Sequence, residues 1–354
     1  MDDTKIDALE EINVKNENVF RLSDVEKELW TLSEEGLKKG AYLGFPELHQ
    51  YYSIKRGSTS YIVAPPSTGK SAILWEFQIN LAQFSGWKFL LFSPETGNAT
   101  AIYAELLWAY MKKPFKKNKF LNASDKEKKE AMKFVSEHFF IVDSGVRDMT
   151  LEMCYKAVLD LEEEEGIKID GMLIDPFTDI ALNSPNATHE AIGEALTKTR
   201  KFSMQYDVHT FIAFHTRAMQ NVKFKDSIGN TKDYPPPPSM YDIAGGQMGS
   251  RKGMFIIGLW RTPAGYLDKD GEEYMENETV VEILKDKPKA VGKKGSVRLY
   301  YDKWSTRFYM YDKQGNKVYA SPPPPEIARG IEGYKGDDAV QIEEDKDLQN
   351  KINF

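Results

Sequence analysis

The chain has 354 residues, 41% hydrophobic and 12% aromatic, enough for one large α/β domain or two smaller ones and too apolar for wholesale disorder. Its best apolar runs, such as FIIGLW at 255–260, have core-strand length and predict no membrane span. One cysteine, Cys154, excludes a disulfide framework and a multi-thiolate zinc site, and the acidic start MDDTKIDALEE has no apolar signal segment, so a cytoplasmic protein is expected. The net charge of −7 hides an uneven distribution: residues 1–35 carry −7 and residues 326–354 carry −4, leaving about +4 between them. A polyanion partner for the middle of the chain is compatible with the acidic whole.

Three parts follow in order. Residues 1–42 are polar and acidic, with one amphipathic stretch over 22–37 that puts Val25, Leu29, Leu32 and Leu37 near one helical face. Periodicity alone favours a helix packed on its own domain over an arm docked on a neighbouring subunit. Residues 43–320 alternate strand and helix signals, which predicts an α/β fold with a largely parallel sheet. Strands are expected over 58–63, 88–93, 139–143, 171–175 and 210–214. Helices are expected over 71–85, 99–111, 125–138 and 151–164, the first with Ile73, Leu74, Phe77 and Leu81 on one face and Gly86 as its stop. From 280 to 319 the pattern changes to β-hairpins with turns at 302–306 and 312–316. The third part starts at the proline run 322–325 and reads as a disordered acidic tail over 321–354.

The strongest local signal is YIVAPPSTGKSAILWEF. Residues 64–71, APPSTGKS, fit the P-loop spacing G-x-x-x-x-G-K-[ST], with Ala64 in place of the first glycine. Such a loop aims successive backbone N–H groups at a phosphate from the positive end of a helix. Pro65 and Pro66 lack that donor, but Ser67, Thr68, Gly69, Lys70 and Ser71 keep it. Lys70 would neutralise the outer phosphates of ATP and the Ser71 hydroxyl would ligate Mg²⁺. Asp175 ends the strand GMLID, where a carboxylate can complete the Mg²⁺ shell. Glu95 follows the strand KFLLFS, where a carboxylate can polarise an attacking water, and His215 follows its own strand within reach of a terminal phosphate. Each alone is a weak signal, since an acid at a strand end is more often a cap or surface residue and a lone histidine is usually structural. In order at the carboxyl ends of parallel strands, they converge where open α/β sheets bind ligands. His49, His138, His189 and His209 have no metal-ligand spacing and read as structural, as does Cys154 in its helix.

These residues resemble a family, the RecA-like ATPase domain of DnaB-type replicative helicases, and within it the phage primase–helicase and Twinkle branch. APPSTGKS is similar to the family's [GA]-R-P-S-M-G-K-[ST], FSPETG at 92–97 to its F-S-L-E-M, and LIDPF at 173–177 to its Walker B strand. The resemblance implies that Glu95 is the catalytic base and that His215 senses the γ-phosphate. The block from Asp242 to Arg261 is similar to the family's glycine block, which adds Arg261 to the nucleotide-binding candidates, and residues 282–309 look like its closing hairpins. There the resemblance implies a finger made by Lys285 and Lys287 that reaches the neighbouring subunit's nucleotide. The chain departs from the pattern in carrying Lys287 where the family has arginine, and Arg251 and Met254 where it has glutamine and aspartate. A lysine supplies the charge without the planar fork.

The segment of about 25 residues after His215 is read as a long loop carrying Arg217, Lys223, Lys225 and Lys232, against a bland reading as solvated surface. The resemblance implies that it contacts single-stranded DNA. It also implies an ATP- and Mg²⁺-dependent DNA helicase, a hexameric homo-oligomer and a host-cytoplasmic location for a phage protein. The acidic tail, ending in Phe354, reads at least equally as a solubilising tail and, by analogy with docking tails, as a site for a replication partner such as a primase, polymerase or loader. The rival readings are a RecA/RadA- or KaiC-like ATPase without unwinding, and a non-enzymatic interaction protein with structural ATP.

Overall fold

The computed structural model describes residues 21–331, apart from 116–121, 144–148, 181–188, 218, 244–245 and 288–291. Two units are distinguished, one ending at Lys38 and one beginning at Lys39. In the first, a 3-10 turn Leu22–Asp24 leads into the helix Glu26–Glu35, and Asp24 accepts the backbone N–H of Arg21 at 2.7 Å. Leu29, Trp30 and Leu32 are exposed. The boundary expected at 42 falls earlier because Gly40 donates its N–H to the Ser53 hydroxyl and Ala41 bridges Ile54, tying residues 39–42 to the second unit.

The second unit is built on one sheet. Its strands are β1 (Thr59–Ala64), β2 (Phe89–Phe92), β3 (Phe139–Ile141), β4 (Gly171–Ile174), β5 (His209–His215), β8 (Phe255–Arg261), β9 (Glu278–Lys285), β10 (Gly295–Asp302), β11 (Arg307–Tyr311) and β12 (Lys317–Tyr319). Two further strands, β6 (Val222–Lys225) and β7 (Thr231–Tyr234), pair only with each other. The order β12-β11-β10-β9-β8-β1-β5-β4-β2-β3 has a parallel half through β8, β1, β5, β4, β2 and β3, and an antiparallel half from β8 outwards to β12. This is the expected mostly parallel core with C-terminal hairpins.

Side chains alternate across the parallel half, as a strand period of two requires. Ile62, Phe89, Leu91, Leu173, Phe211 and Ala213 pack on one face with the helices Lys70–Ser85, Ala99–Met111 and Asp125–His138. Tyr61, Val63, Leu90, Met172, Ile212 and Phe214 pack on the other with the helices Leu151–Glu165 and His189–Tyr206. Both faces are covered, so the strand centres are apolar runs, with Thr59, Ser60, His209 and Thr210 as buried polar residues at the starts of β1 and β5. Cys154 is buried there, as expected.

The helix Lys70–Ser85 departs from the amphipathic reading: residues 73–82 are buried all round. Two of its buried polar members, Glu76 and Asn80, are held from a distance, while the Gln78 amide has no hydrogen-bond partner among the described residues. Arg307, at the start of β11, donates from Nε to Glu76 Oε2 at 2.6 Å and from Nη2 to Glu76 Oε1 at 2.8 Å, while its Nη2 also reaches Asn80. The Phe308 N–H adds a further bond to Glu76 at 3.0 Å, so the buried carboxylate is satisfied on both oxygens. Four described helices are absent from the sequence reading, Pro46–Tyr51, His189–Tyr206, Gly246–Lys252 and Pro325–Ala328.

Three hairpin loops share one chemistry. Asp226, Asp268 and Asp312 each accept the backbone N–H groups two and four residues on, and Gly229, Gly271 and Gly315 supply the left-handed residue at φ 90°, 84° and 83°. The expected disordered tail is ordered in its first residues. Ser321 donates its N–H to Gly44, the helix Pro325–Ala328 follows, and Ile331 bridges Lys39. The rest of that tail, like Asn183, Ser184 and Asn186 in the loop after Asp175, lies outside the described residues. No described helix is long and apolar enough to cross a membrane.

Candidate nucleotide site and basic hairpin

The P-loop leaves β1 at Ala64 and enters the helix at Lys70. Thr68 closes it by donating its hydroxyl to the Pro65 carbonyl at 2.7 Å. Ser67 and Gly69 both take left-handed backbone, at φ 62° and 85°. A non-glycine residue held there is the kind of local strain that clusters at ligand sites. The strand registers set the rest of the site at the same end of the sheet. His215 pairs with Ala64, Ile212 with Ile174 and Ile174 with Phe92, so the residues that follow these strands crowd around the loop.

Two contacts define the centre. The Ser71 hydroxyl donates to Asp175 Oδ2 at 2.7 Å, and Lys70 Nζ lies 3.3 Å from Asp175 Oδ1. The second is an ion pair without hydrogen-bond alignment, so Lys70 Nζ and Asp175 Oδ1 are both buried without a hydrogen-bond partner among the described residues. A buried ammonium with unused donors is costly unless acceptors arrive with a ligand. A polyphosphate would provide acceptors for Lys70, and a divalent cation held by Ser71 and Asp175 would provide charge for the carboxylate, so the residues present fit Mg-ATP. A second contact pair sits beside the first. His215 Nε2 lies 3.0 Å from Glu95 Oε1, and His215 Nδ1 is buried with no partner among the described residues. Glu95 rides on the short 3-10 turn Pro94–Thr96 and stays half exposed, open to water.

Five of the expected residues (Lys70, Ser71, Glu95, Asp175 and His215) are therefore brought together. Arg261 lies at the same end of the sheet, three residues past Gly258, which pairs with Val63. Its Nη2 donates to Asn277 at 2.7 Å, and burial lowers its pKa despite the neighbouring Tyr234 and Tyr301. Lys285 and Lys287 are not brought to this site. Lys285 pairs with Ile256, whose partner on β1 is Tyr61, three residues before the loop and two strands away. That is about 10 Å along and about 10 Å across the sheet, before the loop itself begins. Lys285 instead donates to the Ser250 and Arg251 carbonyls at 2.6 and 3.3 Å, at the end of the helix Gly246–Lys252.

The segment read as a long loop is largely a folded hairpin. β6 and β7 face each other with Lys223 opposite Asp233, Phe224 opposite Lys232 and Lys225 opposite Thr231. Alternation puts Lys223 and Lys225 on one face and Lys232 on the other. Lys232 lies over the rings of Tyr234 and Tyr266, at 5.3 and 5.6 Å. Phe224 packs on Trp260, itself edge-on to Tyr274, and the Lys225 carbonyl accepts the Leu267 N–H at 2.8 Å. Arg217 stands apart at the hairpin base, its guanidinium against Gly246, where any Cβ would meet it at 2.9 Å. Sequence reasoning misses the hairpin although DSIGN at 226–230 carries the same turn signature as DKQGN at 312–316, where a turn is expected and found.

No protein-family model matches the chain. Among curated proteins it is 28% identical over 222 residues to the Twinkle homolog protein, chloroplastic/mitochondrial, of Arabidopsis thaliana. That match covers 59% of this chain but only 29% of the plant protein. Among solved structures, the ATPase domain of G40P superimposes with a TM-score of 0.59 at 19% identity, over 84% of this chain and 99% of that one. A DnaB-like replicative helicase, studied for its interactions with primase, superimposes with a TM-score of 0.60 at 21% identity, over 86% of this chain and 70% of the other. The chain has the fold of a DnaB-type RecA-like ATPase domain, and its sequence is similar to the Twinkle branch.

Proposed function

We propose that this chain is the motor of an ATP-dependent replicative DNA helicase, working as a ring of identical subunits on single-stranded DNA. The observation that carries the reading is the meeting of Lys70, Ser71 and Asp175 within 3.3 Å beside the Glu95–His215 pair. Lys70 neutralises the outer phosphates, and Ser71 and Asp175 are the residues that would hold the metal. Mg²⁺, when bound, supplies positive charge across the outer phosphates. Glu95 accepts a proton from the attacking water, and His215 orients that carboxylate until a terminal phosphate competes for its Nε2.

Lys287, with Lys285 behind it, lies too far from its own P-loop to serve it, which supports a cation acting on a neighbouring subunit's nucleotide. The basic hairpin then offers Lys223 and Lys225 to the DNA backbone, with Arg217 at its base and Lys232 bracing it. Such binding is salt-dependent and nearly blind to sequence. The family resemblance supports a hexamer, a phage-type replisome, and a tail that docks a replication partner. The test is ATP hydrolysis measured with and without single-stranded DNA, alongside negative-stain images of the DNA complex. Stimulated hydrolysis with closed rings is expected. Stimulated hydrolysis with long filaments would instead assign a strand-exchange ATPase, and no hydrolysis would leave a nucleotide-binding interaction protein.

A further inference from the structure

The turns built on Asp226 and Asp312 are one device used twice. In each, a carboxylate accepts the backbone N–H groups two and four residues on at 2.7–3.0 Å. It also takes the side-chain amide of Asn230 at 2.7 Å or of Asn316 at 3.0 Å. The turn on Asp268 repeats the backbone part. The residue two positions after the aspartate stands at the tip, and in the turns on Asp268 and Asp312 it is polar, Asp270 and Gln314. In the hairpin of β6 and β7 it is Ile228, 82% exposed, more than any other large apolar side chain among the described residues.

Single apolar side chains on a surface are ordinary. Three features set this one apart. The carboxylate clamp fixes the turn, and Phe224 on Trp260 and Lys232 over Tyr234 and Tyr266 brace the strands beneath it, so the isoleucine is presented on a built support. Exposed cations stand behind it on one face: Lys225 opposite Thr231, and Lys223 opposite Asp233. The tip itself offers no cation, for Ser227 stands where the other two turns carry Lys269 and Lys313. What the tip presents is apolar area, and what lies behind it is positive charge.

A single-stranded nucleic acid matches both, with phosphates for the lysines and flat apolar base faces for the isoleucine. We infer that Ile228 enters between neighbouring bases of a bound single strand and holds them apart, while Lys223 and Lys225 hold the adjoining phosphates. An apolar wedge of this kind unstacks bases and gains by burying its own surface against them. Ile228 lies three residues past Lys225, at most about 10 Å along the chain, so one short stretch of strand meets both. The inference rests on the hairpin being the single-strand contact, as proposed above, and adds to it the residue that touches bases.

The experiment uses the full-length chain as wild type, as Ile228→Gln, which copies the tip at Gln314, and as Ile228→Leu, with thermal melting to show that each folds. Fluorescence anisotropy over a salt series reads binding to a labelled oligothymidylate and to an abasic strand of equal length. Ile228→Gln should bind the natural strand roughly tenfold more weakly, the scale of one apolar side chain returned to water. Ile228→Leu should keep most of the affinity. On the abasic strand all three proteins should bind alike, and their salt slopes should agree, because no phosphate contact is lost. A 2-aminopurine placed within a strand, bright when unstacked, should brighten with wild type and Ile228→Leu and stay dim with Ile228→Gln. Equal weakening on both strands, or brightening that survives in Ile228→Gln, would overturn the inference and leave the single-strand reading standing. So would unchanged binding of both strands by Ile228→Gln, the result expected if the isoleucine faces a protein partner. A wild-type chain that binds neither strand would overturn that reading and the inference together.

Discussion

Glu95 and His215 show how two weak sequence signals become a site when the chain folds. Their separation of 120 positions closes to 3.0 Å because β2, β4, β5 and β1 lie in parallel register and end together. Glu95→Gln keeps the shape of the group and removes its basicity. Binding of Mg-ATP should remain within a few-fold while steady-state hydrolysis falls by roughly 10²–10⁴, the usual weight of a general base. Lys70→Ala should lose binding and turnover together, since its ammonium meets the ground-state phosphates as well. Nucleotide titration and single-turnover kinetics on the two variants separate these outcomes. Wild-type hydrolysis by Glu95→Gln would make that residue a turn residue only. The P-loop and these carboxylates are legible because each has a fixed place after a strand. The position of Lys285 against the end of the helix Gly246–Lys252 is not, because only the antiparallel pairing of β8 and β9 brings that strand end and helix end side by side.

Among the elements, the hairpin of β6 and β7 carries its lysines on two faces with separate tasks. Lys223→Ala with Lys225→Ala should weaken binding of single-stranded DNA and flatten its salt dependence by roughly one unit of slope for each phosphate left without its lysine. Hydrolysis without DNA should be unchanged. Fluorescence anisotropy over a salt series reads the slope, and an unaltered slope would return this face to solvent. The hairpin looks like a loop in the sequence because its strands are only four residues each and their outward positions are charged. The helix His189–Tyr206 is hidden for another reason. Its buried face mixes Ile192, Leu196 and Phe202 with Gly193, Thr199 and Ser203, and small or polar residues dim a period of 3.6. By contrast the helix Asp125–His138, opened by a capping box between Ser124 and Glu127, is legible to the residue.

At the scale of the molecule, charged residues buried among the described ones are paired, as Asp175, Glu278 and Arg307 are. His209 is fully buried, its Nδ1 hydrogen donating to the Lys55 carbonyl at 2.8 Å and its Nε2 unpartnered among the described residues. Burial lowers its pKa to about 4, against a small opposing pull from that hydrogen bond. The unfolded chain therefore binds a proton that the folded one refuses between about pH 6.5 and 4, so this contribution is complete above pH 6.5 and is lost as pH falls through that window. Urea melts at pH 7, 6, 5 and 4.5 should show stability falling, and in His209→Phe the dependence should weaken by up to one proton. An identical slope in both proteins would assign the acid sensitivity elsewhere.

The pairing of Arg307 with Glu76 is the opposite case, two charges at 2.6 Å in the interior. Arg307→Met leaves Glu76 buried without its cation and should cost about 3–5 kcal/mol, whereas Arg307→Met combined with Glu76→Leu should recover much of the loss. Denaturant titrations of the three proteins complete that cycle, and additive losses would mean the two residues act apart. The same pair also has a bearing on how the protein is made. The two residues are 231 positions apart, one in the helix that carries the P-loop lysine and the other at the start of β11. At the usual pace of translation, of about 5–20 residues per second, the helix waits roughly 10–50 s for its arginine. Until then Glu76 is an acid without a base, and the segment around it has reason to stay loose and hydrated. A nascent chain released before β11 is complete would thus carry every residue of the P-loop and lack the counter-ion that seats its helix.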